Sequence, residues 1–398
     1  MDICIKRGAH QIGGSCVEIT ARNGKRLLVD LGLPLDASGA SPELMPDIRH
    51  DDTLCGLLIS HAHGDHYGLA HYLAADVPVY IGKGALAIID AINCYTRQKV
   101  ELDNTVFLKN FKPFTIADTF RVTPYAVDHS AYDAYAFLIE ADGARVFYSG
   151  DFRAHGRTSA LVENLITRPP KRIGVLLMEG STLGRGDRAS LTEDALVGKF
   201  EKEFRRTKGV AAVMTSSTNI NRITTLYKAA VQAGRELVVP PHVGLITLKT
   251  GNRNIPNFLH FPKFRKWKEA PTWRHAISPE TILANPGKYV VFLKHSIIET
   301  MLANGLFCPD ATFIYSMWSG YKDRDGTKAT LERIKQSGTR IAPDIHTSGH
   351  ADIPTLKRFA KAMAATRIVP IHTESPERYR ELFGDTVELH DDNETFAV

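Results

Sequence analysis

Four short apolar runs in this chain end on a histidine or an aspartate, and the first of them ends on a whole cluster. The run "LCGLLIS" (Leu54 to Ser60) leads straight into "HAHGDH", which places His61, His63, Asp65 and His66 within six positions. The run reads as a buried strand, and the following "YGLAHYLAAD" reads as the start of a helix, so the cluster is expected on a tight strand-to-helix loop. His61 and His63 alternate and point the same way from an extended end, while Asp65 and His66 face a second point. Imidazole and carboxylate are the ligands of borderline and hard cations, and this spacing suits two adjacent metals better than one. The other three runs end on His129 in "AVDHSAYDAYAF", Asp151 in "FYSGDFRAHGR" and His372 in "IVPIHTE". Strand ends are where α/β folds collect site residues. Asp151 is the natural bridging carboxylate, and two cations at bridging distance lower the pKa of a shared water and clamp an in-line displacement at phosphorus.

A fold that gathers these strand ends has room to form. With 398 residues, 43% of them hydrophobic and 23% charged, the composition is that of a globular protein with two domains or one large split domain. No run approaches the roughly 18 to 20 apolar residues of a membrane span. The N-terminal "MDICIKRGAH" lacks a signal-peptide core, so no membrane association and a cytoplasmic location are expected. Cys4, Cys16, Cys55, Cys94 and Cys308 are scattered and contain no C-x-x-C pair, which points to reduced thiols. A net charge of +5 permits an anionic substrate.

Along the chain, "CVEITARNGKRLLVDLG" and "AYAFLIEADGARVFYSGDF" read as hairpins turning at Asn23-Gly24 and Asp142-Gly143. The texture changes near Lys171. A helix is expected at about Leu191 to Arg206, and "VAAVMTSSTNINRITTLYKAAVQAGRELVVPP" reads as a βαβ unit, so the middle of the chain should hold a parallel sheet. Site-like residues return after Arg340, in "HTSGHADIPTLKRFAKAM" and "RIVPIHTESPERY".

Taken together, these motifs resemble the metallo-β-lactamase-fold hydrolases, and more narrowly the β-CASP nucleases of the ribonuclease J type. The resemblance implies a four-layer αββα fold made of residues 1–178 and 341–398, with an α/β β-CASP insert at residues 179–340. Asp30 matches the residue that orients the metal loop. His61, His63, Asp65, His66, His129, Asp151 and His372 match the metal ligands. On this reading His61, His63 and His129 hold one cation, Asp65, His66 and His372 hold the other, and Asp151 bridges. Glu179 in "LLMEGSTLGR" matches the acidic residue that opens the insert, and His350 in "HTSGHA" matches a histidine that protonates the leaving group. Asp65, His350 and Glu179 form the expected catalytic group. Ser217, Asn219 and Arg222 lie in "SSTNINRI", which resembles a substrate-binding segment of the insert. Two departures stand out: His372-Thr373-Glu374 replaces the family's His-Gly-Glu, and "SMWSGYKDRDG" replaces a Pro-Gly-Asn loop.

The residues themselves suggest a nucleic-acid substrate. Asn252 to His275 interleaves Arg253, Lys263, Arg265, Lys266, Lys268 and Arg274 with Phe258, Phe261, Phe264, Trp267 and Trp273. Cations for phosphates and aromatic faces for bases are what single-stranded nucleic acid binding uses; an amphipathic segment with buried aromatics is the plainer alternative. His346 and Ser348 could hold a terminal phosphate, or shape the turn that presents His350. The expected partner is single-stranded RNA and the expected cofactors are two divalent metal ions, zinc first and manganese second. Homo-oligomerisation and protein partners stay open. The competing readings are a hydrolase of a small ester, thioester or lactone on the same di-metal platform, and a DNA nuclease.

Overall fold

In the computed structural model, which describes residues 1–186, 189–255, 258–260 and 276–398, the chain divides into two compact units. The first is Met1–Ser190 with Gly349–Val398, and the second is Leu191–Ser348. The changeovers fall later than residues 178 and 340, for a reason visible in the strand pairing below.

The first unit holds two sheets. One runs in the order β19 (Thr395–Ala397), β1 (Asp2–Arg7), β2 (Cys16–Thr20), β3 (Arg26–Val29), β4 (Leu54–Leu58), β5 (Val79–Ile81), β6 (Thr105–Phe107). The other runs β18 (Arg367–Ile371), β11 (Val175–Glu179), β10 (Ala144–Tyr148), β9 (Ala134–Ala141), β8 (Phe120–Val127), β7 (Phe114–Ile116). The expected hairpins are β2–β3 and β9–β10. The second turns at Asp142 (φ 54°) and Gly143 (φ 80°), the left-handed pair that a two-residue hairpin loop needs. Because side chains alternate across a strand, each sheet serves two layers. Phe137, Ile139, Val146, Tyr148, Val175 and Leu177 meet Ile3, Val17, Leu27, Val29 and Leu58 in a core between the sheets. Their neighbours Ala136, Leu138, Phe147, Leu176 and Met178 turn outward onto the helices Ala160–Thr167 and Ile353–Met363. The helix Lys83–Asn93, which buries Ala85, Ile88, Ile89 and Ala91, follows β5 of the first sheet. This is the αββα metallo-β-lactamase fold. Strand β11 ends at Glu179 and pairs in parallel with β18 through Glu179↔Ile371, which is why Glu179 belongs to this unit.

The second unit is built on a parallel sheet in the order β14 (Leu259–His260), β13 (Glu236–Val239), β15 (Tyr289–Leu293), β12 (Ala211–Met214), β16 (Thr312–Tyr315), β17 (Arg340–Ile341). Its three central strands, β15, β12 and β16, are buried along their whole length, as expected where both faces are covered. Ala212, Met214, Val238, Val291, Leu293 and Phe313 pack with Ile282, Ile297, Met301 and Ile334 from helices. The expected helix near Leu191 runs Glu193–Arg206, started by Thr192, whose side chain accepts from Ala195 N. This unit is the inserted α/β domain. Most of the basic and aromatic stretch up to His275 lies outside the described residues.

Candidate metal centre

The cluster loop departs from the sequence reading in one respect. Asp65 and His66 sit on a one-turn helix, Gly64–Tyr67, rather than on a loop ahead of a longer one. The turn is short because backbone from elsewhere clasps it. Leu31 N donates to His66 O (2.8 Å), Leu33 N to Gly64 O (2.9 Å) and Ser15 N to Asp65 O (3.0 Å). A Cβ on Gly32 would lie 1.7 Å from Asp65 O, so only glycine allows this approach. The other candidates leave their strands just as abruptly. His129 follows β8, Asp151 follows β10 after Gly150 (φ 53°), and His372 follows β18 in the left-handed region itself (φ 53°), a strained conformation typical of functional positions.

These strand ends converge. His61 Nε2 lies 3.1 Å from His63 Nδ1, which lies 3.2 Å from His129 Nε2. One proton cannot satisfy both contacts, yet a cation can. A tetrahedral metal with nitrogen bonds of about 2.0–2.1 Å spaces its nitrogens about 3.3 Å apart. On the other side, His372 Nε2 and His66 Nε2 lie 3.8 and 3.9 Å from Asp65 Oδ2. Asp151 Oδ2 stands between the groups, 3.2 Å from His66 Nε2, 3.6 Å from His372 Nε2, 3.7 Å from His61 Nε2 and 3.9 Å from His129 Nε2. The Nε2 atoms of His66 and His372 and Oδ1 of Asp151 are buried without a hydrogen-bond partner. Buried polar atoms left unsatisfied in a shared space fit a divalent cation.

The outward-facing nitrogens of His61, His66 and His372, by contrast, are tied down. His61 Nδ1 lies 2.9 Å from Ser60 Oγ, which donates to Asp30 Oδ2 (2.8 Å). His66 Nδ1 and the Tyr148 hydroxyl also donate to Asp30 Oδ2 (2.8 and 2.7 Å), and Ser60 N donates to Oδ1 (2.7 Å). Ser15 Oγ lies 2.8 Å from His372 Nδ1, which also accepts from Gly13 N (3.3 Å), so both contacts hold the ring from its outer side with Nε2 facing the cluster. Such contacts fix which nitrogen is offered to a metal. Asp128 braces the neighbouring loop by accepting from Gly156 N (2.6 Å) and Thr158 Oγ1 (2.8 Å).

Electrostatics favours neutral ligands on one side. Burial, then the neighbouring imidazoles, pulls His61 well below the ordinary histidine value; burial also pulls His129 well down and His63 to about 4. His66 goes the other way. Burial opposes its charge, but Asp151, Asp30 and Asp65 overcome that and hold it well above the usual range. Burial alone would raise the Asp151 carboxyl; the imidazoles facing it, His372 and His66 first, hold it well below the usual carboxylate range.

His350 reaches the same cluster. Its Nδ1 lies 3.3 Å from Glu179 Oε2 and 3.6 Å from Asp151 Oδ2, and its side chain keeps 19% exposure while His61, His66, His129, Asp151 and His372 are buried. Glu179 is itself pinned, accepting from Ser181 N at Oε2 (3.0 Å) and from Ala351 N at Oε1 (3.2 Å).

The segment in the second unit reads differently from expectation. Arg222 is fully buried, and its guanidinium grips Glu193 through two bonds (3.1 and 3.0 Å) while also donating to Ser316 Oγ (2.5 Å). Asn219 caps the helix Ile220–Gln232 by accepting from Arg222 N (2.9 Å). Arg222 thus spends its donors inside the unit, and Asn219 spends its side-chain oxygen on the helix start. Ser217 instead meets His242 Nε2 (3.1 Å). His346 lies in this unit beside Arg222 Nη1 (3.4 Å), and Ser348 closes it.

Sequence reading missed Ser60, Tyr148, Ser15 and Asp128. Ser60 was legible from its place directly before His61. Tyr148 reaches Asp30 across 118 positions and carries no local signal.

Parts of the chain match known families. Residues 25–170 match the β-lactamase superfamily domain, and residues 338–386 match the Zn-dependent metallo-hydrolase RNA specificity domain. A ribonuclease J from Sinorhizobium meliloti is 27% identical over 54% of this chain and 39% of its own length. One from Helicobacter pylori is 23% identical over 92% of this chain and 55% of its own. The chain thus spans about half, or less, of the length of these curated relatives. A protein of unknown function from Enterococcus faecalis shares the fold with a TM-score of 0.83 over 100% of this chain and 99% of that one, at 19% identity.

Proposed function

From a ribonuclease J-like chain of the metallo-β-lactamase fold with a β-CASP insert, we propose an enzyme that hydrolyses phosphodiester bonds of RNA with the help of divalent cations. The observation that carries this is the convergence of His61, His63 and His129 nitrogens at 3.1 and 3.2 Å, with Asp151 between them and the Asp65–His66–His372 group. In this reading His61, His63 and His129 hold one cation, Asp65, His66 and His372 the other, and Asp151 both. Zinc suits this nitrogen-rich donor set. When bound, such cations supply Lewis acidity and neutralise charge at a phosphoryl centre.

The chain's own residues do the rest. Asp30 fixes His66 directly and His61 through Ser60. Hydrolysis forms a bond from water oxygen to phosphorus as that water gives up a proton to solvent, and breaks the bond to the ribose oxygen, which leaves needing a proton. His350 supplies it. Glu179, rigid because backbone amides hold both of its oxygens, orients the ring through Nδ1 and favours its protonated form by a charge-assisted contact.

The test is incubation of zinc- or manganese-loaded protein with 5′-labelled single-stranded RNA and DNA of one sequence, followed by product sizing. RNA should shorten, a chelator should stop it, and returned metal should restore it. Intact RNA under loaded conditions would overturn the reading; equal cutting of DNA would shift it to a general or DNA nuclease.

A further inference from the structure

Strands β11 and β18 lie side by side in parallel and end level, with Glu179 paired to Ile371. The residues that leave the two strands therefore emerge at the same edge of the sheet. From β18 the first of them is His372. From β11 it is Gly180, and then Ser181. A side chain at Gly180 would collide, since its Cβ would lie 2.8 Å from the Tyr379 ring and 3.0 Å from Thr373 Cβ. This close approach brings Ser181, itself buried, back beside His372.

The two donors of Ser181 have different partners. Its hydroxyl donates to the His372 carbonyl (3.3 Å), and its N–H donates to Glu179 Oε2 (3.0 Å). The first contact falls where the backbone is strained. His372 takes a left-handed conformation (φ 53°), which a residue with a side chain keeps only where its surroundings hold it. Its own N–H donates to Gly8 O (2.7 Å), so the Ser181 hydroxyl completes a grip on both polar groups of that backbone position. The second contact acts on the carboxylate oxygen that faces His350 Nδ1 at 3.3 Å. The next residue extends the same reach. Thr182 Oγ1 donates to Ala351 O (2.5 Å), while Ala351 N donates to Glu179 Oε1 (3.2 Å). The backbone directly after His350 is thus held at both of its polar groups by Glu179 and Thr182.

We propose that Ser181 is a positioning residue that couples the metal ligand His372 to the pair Glu179–His350. Through its hydroxyl it sets the backbone from which the His372 ring is aimed at a cation. Through its N–H it sets the carboxylate that aims His350. One short side chain and its own amide carry both bonds, so a displacement of His372 is passed to Glu179. The His350 half rests on the nuclease reading; the His372 half does not.

The test compares the full-length parent with Ser181→Ala, Thr182→Val, Glu179→Gln and the double variant Ser181→Ala with Glu179→Gln. Zinc is withdrawn stepwise by a chromophoric chelator, and kcat and KM are measured on single-stranded RNA at saturating zinc. Ser181→Ala should weaken one of the two metal steps about tenfold and leave the other at its parent value, because only His372 loses a contact. It should also lower kcat with KM unchanged, by less than the roughly 10²-fold that loss of the acid itself costs. In the Glu179→Gln background that kcat loss should vanish while the metal loss persists, since the first acts through Glu179 and the second does not. Thr182→Val should show the converse pattern, a lower kcat with both metal steps unchanged. Equal weakening of both metal steps, parent-like metal steps in Ser181→Ala, or a Ser181→Ala chain too unstable to load zinc would assign the hydroxyl to the fold and overturn the proposal. So would kcat losses that simply multiply in the double variant. If the loaded parent leaves RNA intact, the nuclease reading falls, and the metal steps alone decide the role of Ser181.

Discussion

Two buried polar networks in this molecule look alike in composition and differ in completeness. In the second unit Arg222 and Glu193 bury a charge pair in which the guanidinium is met by Glu193, Ser316 and the Thr347 carbonyl. In the first unit His61, His66, His372 and Asp151 are just as buried, but the nitrogens that are tied are the outward ones of those three histidines, and several inward atoms meet no hydrogen-bond partner. A saturated network is scaffold. A network saturated on its outside and open on its inside holds something that arrives later. The contrast predicts that substitutions in the second should cost metal and activity while sparing the fold, and that substitutions in the first should do the reverse.

The largest effect should come from Asp151→Ala. It removes the carboxylate that faces all four Nε2 atoms, so metal content should fall and RNA cleavage should drop by about 10³-fold or more. The metal-free variant should lose less unfolding free energy than Arg222→Met does, because Oδ1 has no hydrogen bond to lose and only the Oδ2 contacts with the His66 and His372 imidazoles go. Metal analysis with urea titration checks both halves, and full metal content in the variant would break the contrast.

His350→Ala should lower turnover by about 10² to 10⁴ while metal content and RNA affinity stay at parent levels, the signature of a lost general acid. Glu179→Gln should fall between the parent and His350→Ala, since it keeps the backbone contacts at one oxygen and loses the charge beside His350. Parent-rate cleavage by folded, fully metallated His350→Ala would return His350 to a packing role.

The scaffold side is tested through Arg222→Met. Leaving Glu193 buried and unpaired should cost about 3–5 kcal/mol in unfolding free energy. The double variant Arg222→Met with Glu193→Leu should recover much of that, because an apolar pair of similar volume replaces the ions. If the folded double variant loses RNA affinity tenfold or more, Arg222 contacts substrate after all.

Why one network could be read from sequence and the other could not follows from where their information lies. His61, His63, Asp65 and His66 occupy six consecutive positions, and His129, Asp151 and His372 each close an apolar run, so composition and position coincide. The hairpins at Asn23-Gly24 and Asp142-Gly143 were legible for the same reason: left-handed backbone at Gly24, Asp142 and Gly143 favours such residues locally. The Arg222–Glu193 pair spans 29 positions, and Arg222 lies in a segment whose resemblance suggested a ligand. Only burial shows that its donors are spent. The one-turn helix at Gly64–Tyr67 escaped because its length is set by Leu31, Leu33 and Ser15, distant in sequence from the turn they clasp.

The smallest effect, and the finest probe of the contrast, belongs to Asp30→Asn. Asp30 touches no metal position; it accepts four hydrogen bonds, three at Oδ2 and one at Oδ1. An asparagine keeps its oxygen where the three donors converge and turns its amide toward Ser60 N, so one donor loses its acceptor and the carboxylate charge is gone. The His66 ring then loses part of what holds its Nδ1 proton and its orientation, and His61 is loosened through Ser60. Changes of this kind typically weaken metal binding by about 10- to 100-fold. Competition with a chromophoric chelator should show that loss while saturating zinc restores cleavage to near the parent rate. Parent-like metal affinity in Asp30→Asn would mean that packing alone, without the ordered outer hydrogen bonds, is enough to aim His61 and His66, and the distinction drawn between tied outer atoms and open inner ones would lose its physical basis.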